Sequence, residues 1–202
     1  MWIYKFDEVV SLGIKHRARI YISRILLKGV LDMDLRKIIR EVPDFPKEGI
    51  VFYDITTILQ NPEGLTAAID QIQDKLKDLD FDYIVGPESR GFIFGVPVAY
   101  NMNKGFLPVR KAGKLPYKTK SKEYALEYGT ATIEMHIDAV QPGSKVVIID
   151  DLLATGGTSK ATIELIEELG GEVVQLVYLI ELGFLDGREK LKGYNVDAII
   201  KQ

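Results

Sequence analysis

The stretch Lys145–Gly170, KVVIIDDLLATGGTSKATIELIEELG, leaves a chain few choices. Val146 to Ile149 form an unbroken apolar run that ends in two adjacent carboxylates, Asp150 and Asp151. A loop carrying Gly156 and Gly157 follows, and then apolar residues recur at helical spacing over 157–169 until Gly170 and Gly171 stop them. A run of this kind reads as a strand buried on both faces, and strand, loop and helix in that order belong to a parallel sheet covered by helices.

Other segments repeat the alternation. Strands are expected at 82–86 (DYIVG), 105–110 (GFLPVR), 172–180 and near 194–200. A helix is expected over 62–79 with Asn61 as its N-cap, and another begins after SRGF and is kinked near Pro97. The segment 130–137, TATIEMHI, alternates so that Ala131, Ile133, Met135 and Ile137 share one face, which leaves His136 as a solvated histidine. Residues 34–41, DLRKIIRE, read as a short amphipathic helix capped by Asp34. Residues 111–129 hold five lysines and no apolar period, which reads as a long binding loop or lid. The expected class is therefore α/β, a mostly parallel twisted sheet flanked by helices, with ligands bound outside the carboxyl ends of the strands.

Composition removes several functions. With no Cys among 202 residues, disulfides, thiolate catalysis and Cys-ligated metals are excluded, and two histidines, His16 and His136, argue against a His-rich metal site. A net charge of −3 argues against nucleic acid as partner. No apolar run reaches the roughly 18 residues of a membrane span. Charges at Lys15, Arg17, Arg19, Arg24 and Lys28 break any signal-peptide core, so the expected location is the cytoplasm.

A loop that enters a helix offers free backbone N–H groups and the positive end of the helix dipole, which suits a phosphate. In ATGGTS the glycines let the backbone approach an anion, and Thr155, Thr158 and Ser159 bring hydroxyls. No Lys precedes Thr158, so the loop is not a Walker loop. Carboxylates repel phosphate but accept hydrogen bonds from a sugar diol. A ribose 5-phosphate satisfies both halves; a strand-end turn with solvated acids is the bland alternative. Arg90 in VGPESRGF and Arg110, Lys111 and Lys114 in VRKAGKLP supply cations for a second, more highly charged anion such as a diphosphate.

These motifs, together with LEYGT and ELGFLDGREKL, are co-linear from about Met33 to the C-terminus. The chain so resembles the type I phosphoribosyltransferases, and within them the adenine-specific branch. The resemblance implies the type I fold with a small N-terminal hood and a flexible lysine-rich loop. It also implies transfer of phosphoribose from phosphoribosyl pyrophosphate to adenine, giving AMP and diphosphate, in a homodimer. Mg²⁺ would be bound mainly through the substrate, with no protein ligand.

By the same resemblance Asp150 and Asp151 bind the ribose hydroxyls, and Ala154, Thr155, Gly156, Gly157 and Thr158 hold the 5-phosphate. Ser89, Arg90 and Lys114 contact the diphosphate, with a cis peptide expected at Glu88–Ser89. Glu127 is the acid–base residue, and Val51, Phe52 and Tyr53 cover the base. Relatives often carry Arg or Lys where this chain has Tyr53, so a charge there is missing. Another base, or a non-catalytic regulator that senses phosphoribosyl pyrophosphate, is the alternative function. Residues 1–32 lie outside the resemblance: either translation begins at Met33 or they form a basic, apolar arm. Residues 33–202 are the expected phosphoribosyltransferase domain.

Overall fold

A computed structural model describes residues 33–125 and 129–202. The chain divides into two compact units at Ala67/Ala68.

The first unit is built on a hairpin. A single 3₁₀ turn, Leu35–Lys37, is capped by Asp34, whose Oδ1 accepts from the Arg36 N–H at 3.2 Å. Strand β1 (Arg40–Pro43) then pairs antiparallel with β2 (Val51–Asp54), Arg40 opposite Asp54 and Pro43 opposite Val51. The amphipathic helix expected over 34–41 is thus only one turn long. Pro43 drives the residue before it into extended backbone, and the ladder to β2 supplies the hydrogen bonds that a helix would have made. The hairpin loop contains a cis Phe45–Pro46 bond and a left-handed Gly49, whose N–H donates to Asp44 Oδ1 at 2.7 Å. Phe45 meets Phe52 edge-on, with ring centroids 5.2 Å apart. Helix α1 (Thr56–Gln60) follows, and then α2 (Pro62–Asp74). Pro62 takes the first helical position, and Asn61 Oδ1 accepts from the N–H groups of Glu63 and Gly64, both at 3.0 Å, as its sequence predicts.

The second unit is a seven-stranded sheet. Its strands are β3 (Tyr83–Pro87), β4 (Gly105–Lys111), β5 (Thr119–Ala125), β6 (Thr130–His136), β7 (Lys145–Leu153), β8 (Glu172–Glu181) and β9 (Val196–Lys201), in the spatial order β5-β6-β4-β3-β7-β8-β9. The five strands from β4 to β9 in that order run parallel, and β5 and β6 add an antiparallel hairpin beside β4. Val146 to Ile149 of β7 are buried on both faces, which is why they are apolar without alternation. Helix α3 (Arg90–Asn101) packs on β3 and β7, and α4 (Gly157–Glu168) packs on β5, β6 and β8. Val146, Ile148, Ile163, Leu165 and Ile166 join one apolar cluster with Val85, Val109 and Met135. Pro97 lies inside α3, as the sequence indicates.

The lysine-rich segment differs from its expectation. Thr119–Ala125 is a strand, paired from Thr119 opposite His136 to Ala125 opposite Thr130. Its stability comes from that ladder and from α4: Lys120 reaches Glu168 at 2.9 Å, and Lys122 reaches Glu164 and Glu168 at 2.8 Å each. His136 is half-buried rather than solvated. Tyr117, leading into β5, meets its ring edge-on at 6.0 Å and donates its N–H to Nε2 at 3.4 Å. Among the described residues no helix is long and apolar enough to cross a membrane.

Candidate active site

The carboxyl ends of β3 and β7, neighbours in the centre of the sheet, open into a cleft of about 250 Å³. Parallel strands bring their following loops to one side, so residues far apart in sequence meet there. Asp150, Asp151, Ala154 to Thr158, Ser89 and Arg90 all line this cleft, as does Lys111. These ten residues, all singled out from sequence, are therefore brought together.

The two carboxylates are held differently. Asp151 is buried and accepts from Arg90 Nε at 2.8 Å, while Asp150 is half-buried and accepts from the Asp151 N–H at 2.9 Å. Desolvation, joined by the charge of Asp151, pushes the Asp150 carboxyl well above the usual carboxylate range. Burial raises Asp151 as well, and the adjacent Arg90 guanidinium opposes that rise. The pair thus takes up a proton more readily than free aspartates do.

Beyond β7, Gly156 adopts left-handed backbone, φ 75°, and α4 starts at Gly157 with no side-chain cap. The N-terminal N–H groups of a twelve-residue helix therefore face the cleft with the positive end of its dipole behind them. Only glycine suits position 156 on a second count, since a Cβ there would lie 2.5 Å from the carbonyl oxygen of Gly187. Gly187 itself backs onto Ala154, so the GFLDGREKL segment is the support beneath the loop. Arg188 secures that segment: it forks onto Glu181, with Nη2 to Oε2 at 2.7 Å, and its Nη1 donates to Val196 O at 2.8 Å.

Two of the expected hydroxyls are engaged. Thr158 Oγ1 lies 3.2 Å from Tyr124 Oη. Ser159 also lines the cleft, and its Oγ accepts from the buried Tyr178 hydroxyl at 2.7 Å, which anchors the start of α4 to β8.

The peptide between Glu88 and Ser89 is cis, as the resemblance implied. Glu88, which sequence reasoning left without a role, lies 2.9 Å from Lys114 Nζ and 3.1 Å from Arg110 Nε. The Lys114 hydrogen bond chiefly holds its carboxyl down to about 2. Lys114 is therefore seated on Glu88 rather than among the cleft-lining residues. Sequence reasoning also passed over Tyr124, which lines the cleft from β5; the aromatic residue three places before Glu127 was the only signal available. Glu127 lies outside the described residues, and Val51, Phe52 and Tyr53 lie on β2 of the first unit.

Known proteins share this sequence and fold over most of the chain. Residues 54–199 match the model of the phosphoribosyl transferase domain. An adenine phosphoribosyltransferase of Lachnoclostridium phytofermentans is 65% identical over 167 residues, covering 83% of this chain and 96% of that protein. The crystal structure of adenine phosphoribosyltransferase from Thermoanaerobacter pseudethanolicus superposes with a TM-score of 0.81 at 50% identity, covering 87% of this chain and 99% of the other. That of the Saccharomyces cerevisiae enzyme, complexed with an imino-altritol bisphosphate and adenine, gives 0.79 at 39% identity, covering 85% and 99%. The family match, the identity over most of the chain and the shared fold together make this chain a member of the phosphoribosyltransferase family, in its adenine phosphoribosyltransferase branch.

Proposed function

We propose that this protein transfers the 5-phosphoribosyl group of phosphoribosyl pyrophosphate to adenine, releasing AMP and diphosphate, a purine salvage reaction. The observation that carries the reading is the placement of an acid pair beside an uncapped, glycine-initiated helix in one cleft, in a chain 65% identical to an adenine phosphoribosyltransferase. The N–H groups of α4 and the loop Ala154–Thr158 receive the 5-phosphate. Asp150 and Asp151 accept from the ribose hydroxyls and fix the ring. Ser89, Arg90 and Lys114 take the diphosphate, whose departure leaves positive charge on the ribose ring. Arg90 and Lys114 stabilise the charge gathering on the leaving group. Glu127 handles the adenine proton as the new bond to nitrogen forms. Val51, Phe52 and Tyr53 cover the base, an assignment that rests on sequence resemblance.

The donor set fits Mg²⁺ held through the oxygens of the substrate. Asp150 and Asp151 offer hard oxygens at the cleft but neither is assigned as a ligand: Asp151 already accepts from Arg90, and among the described residues no three His, Asp or Glu side chains converge into a cage. When bound, the ion would neutralise charge on the diphosphate. By the same family resemblance the protein acts in the cytoplasm as a homodimer, with 33–202 as the phosphoribosyltransferase domain.

The test is a panel of adenine, hypoxanthine, xanthine and orotate, with diphosphate release measured with and without Mg²⁺. Release with adenine alone supports the reading. Turnover of a different base reassigns the substrate, and no turnover with any base overturns catalysis in favour of a binding protein.

A further inference from the structure

Glu88 takes no part in the roles above, yet its carboxylate gathers three polar groups at and just beyond the end of β4. Oε1 accepts from Lys114 Nζ at 2.9 Å, and Oε2 accepts from Arg110 Nε and from the Lys111 N–H, both at 3.1 Å. Arg110 Nη1 closes the ring by donating to the Lys114 carbonyl at 3.1 Å. The Glu88 N–H donates to Val109 O at 2.8 Å, which fixes the backbone of the acid against the same strand. Only 11% of the side chain is exposed, and the residue lines the cleft beside Ser89 and Arg90.

Two cations brought this close repel one another unless an anion lies between them. Glu88 is that anion, and the three side chains together keep one net positive charge. We infer that Glu88 is a positioning residue of the diphosphate subsite: it holds Arg110 and Lys114 together at the rim of the cleft, so that the Lys114 ammonium has only a short way to move from carboxylate to arriving diphosphate. The inference rests on the reading of the cleft as a phosphoribosyl pyrophosphate site. Glu88 remains ionised at any working pH, because its carboxyl is held at about 2. Its hydrogen bonds are all charge-assisted, the stronger kind.

The experiment is calorimetry on the full chain with Mg²⁺, titrating inorganic diphosphate and ribose 5-phosphate separately into wild type, Glu88→Gln, Glu88→Asp and Lys114→Met. Glu88→Gln should weaken diphosphate binding by about tenfold, as loss of one charge-assisted contact does, and leave ribose 5-phosphate within twofold. Glu88→Asp, which keeps the charge, should recover part of the loss. Combining Glu88→Gln with Lys114→Met should cost little more than Lys114→Met alone, since one residue acts through the other. Unchanged or tighter diphosphate binding by Glu88→Gln overturns the inference. So does an equal loss of both ligands, which marks a purely architectural role. Failure of wild type to bind either ligand removes the phosphoribosyl reading itself and the inference with it.

Discussion

Arg90 Nε lies 2.8 Å from Asp151 Oδ2, joining the first residue of α3 to the acid pair of β7. A cation assigned to the diphosphate is therefore paired with an acid assigned to the ribose. The two halves of the cleft are not independent: a substrate that occupies both must share or part this ion pair.

Replacing Asp150 and Asp151 together by Ala should weaken phosphoribosyl pyrophosphate binding by about 10²-fold or more, since hydrogen bonds to charged groups contribute about 1.5–3 kcal/mol each. Calorimetry on wild type and the double variant measures this. Equal affinities would remove the diol role.

The acid pair should also trade stability for function. Burial and mutual repulsion raise the Asp150 pKa in the folded chain, so the folded state binds protons more tightly than the unfolded state. Ligand-free stability then falls as pH rises through the elevated folded value, and protonation restores it. Asp150→Asn, which mimics the protonated form, should raise the urea midpoint at pH 8, with a gain that shrinks as pH is lowered towards 4. A variant less stable than wild type at pH 8 would contradict this.

Glu127→Gln should lower turnover by about 10²–10⁴-fold, the usual worth of general acid–base help, while the affinity for phosphoribosyl pyrophosphate changes far less. Single-turnover kinetics alongside calorimetry separates the two effects, and unchanged turnover would refute the role.

Gly156→Ala should damage both fold and site. The backbone there is left-handed at φ 75°, which costs a side chain about 1–2 kcal/mol, and the new Cβ would press on the Gly187 carbonyl. A lower urea midpoint and a raised Michaelis constant for phosphoribosyl pyrophosphate are expected together. Wild-type values for both would show that the loop relaxes freely.

The parts of this molecule legible in sequence are the local ones. The run Val146–Ile149, the glycine loop and the period of α4 each carry their own signal within a few residues, and they fix the sheet and half the cleft. What escaped depends on partners distant in the chain. TKSKEYA has no apolar alternation, and it is a strand because β6 pairs with it and because Glu164 and Glu168 meet its lysines. DLRKIIRE has helical spacing, yet Pro43 and the ladder to β2 override it. Glu88 gives no local sign of its use, because the groups it gathers follow 22 to 26 residues later.

Strand β5 borders the sheet, and among the described residues nothing pairs with its outer side. Such a border invites a foreign strand to dock and seed aggregation, and lysine is a common guard against it. Lys118, Lys120 and Lys122 therefore defend this border while two of them also bind α4. Acetylating those lysines would erase both protections at once and leave the rim of the molecule open to self-association.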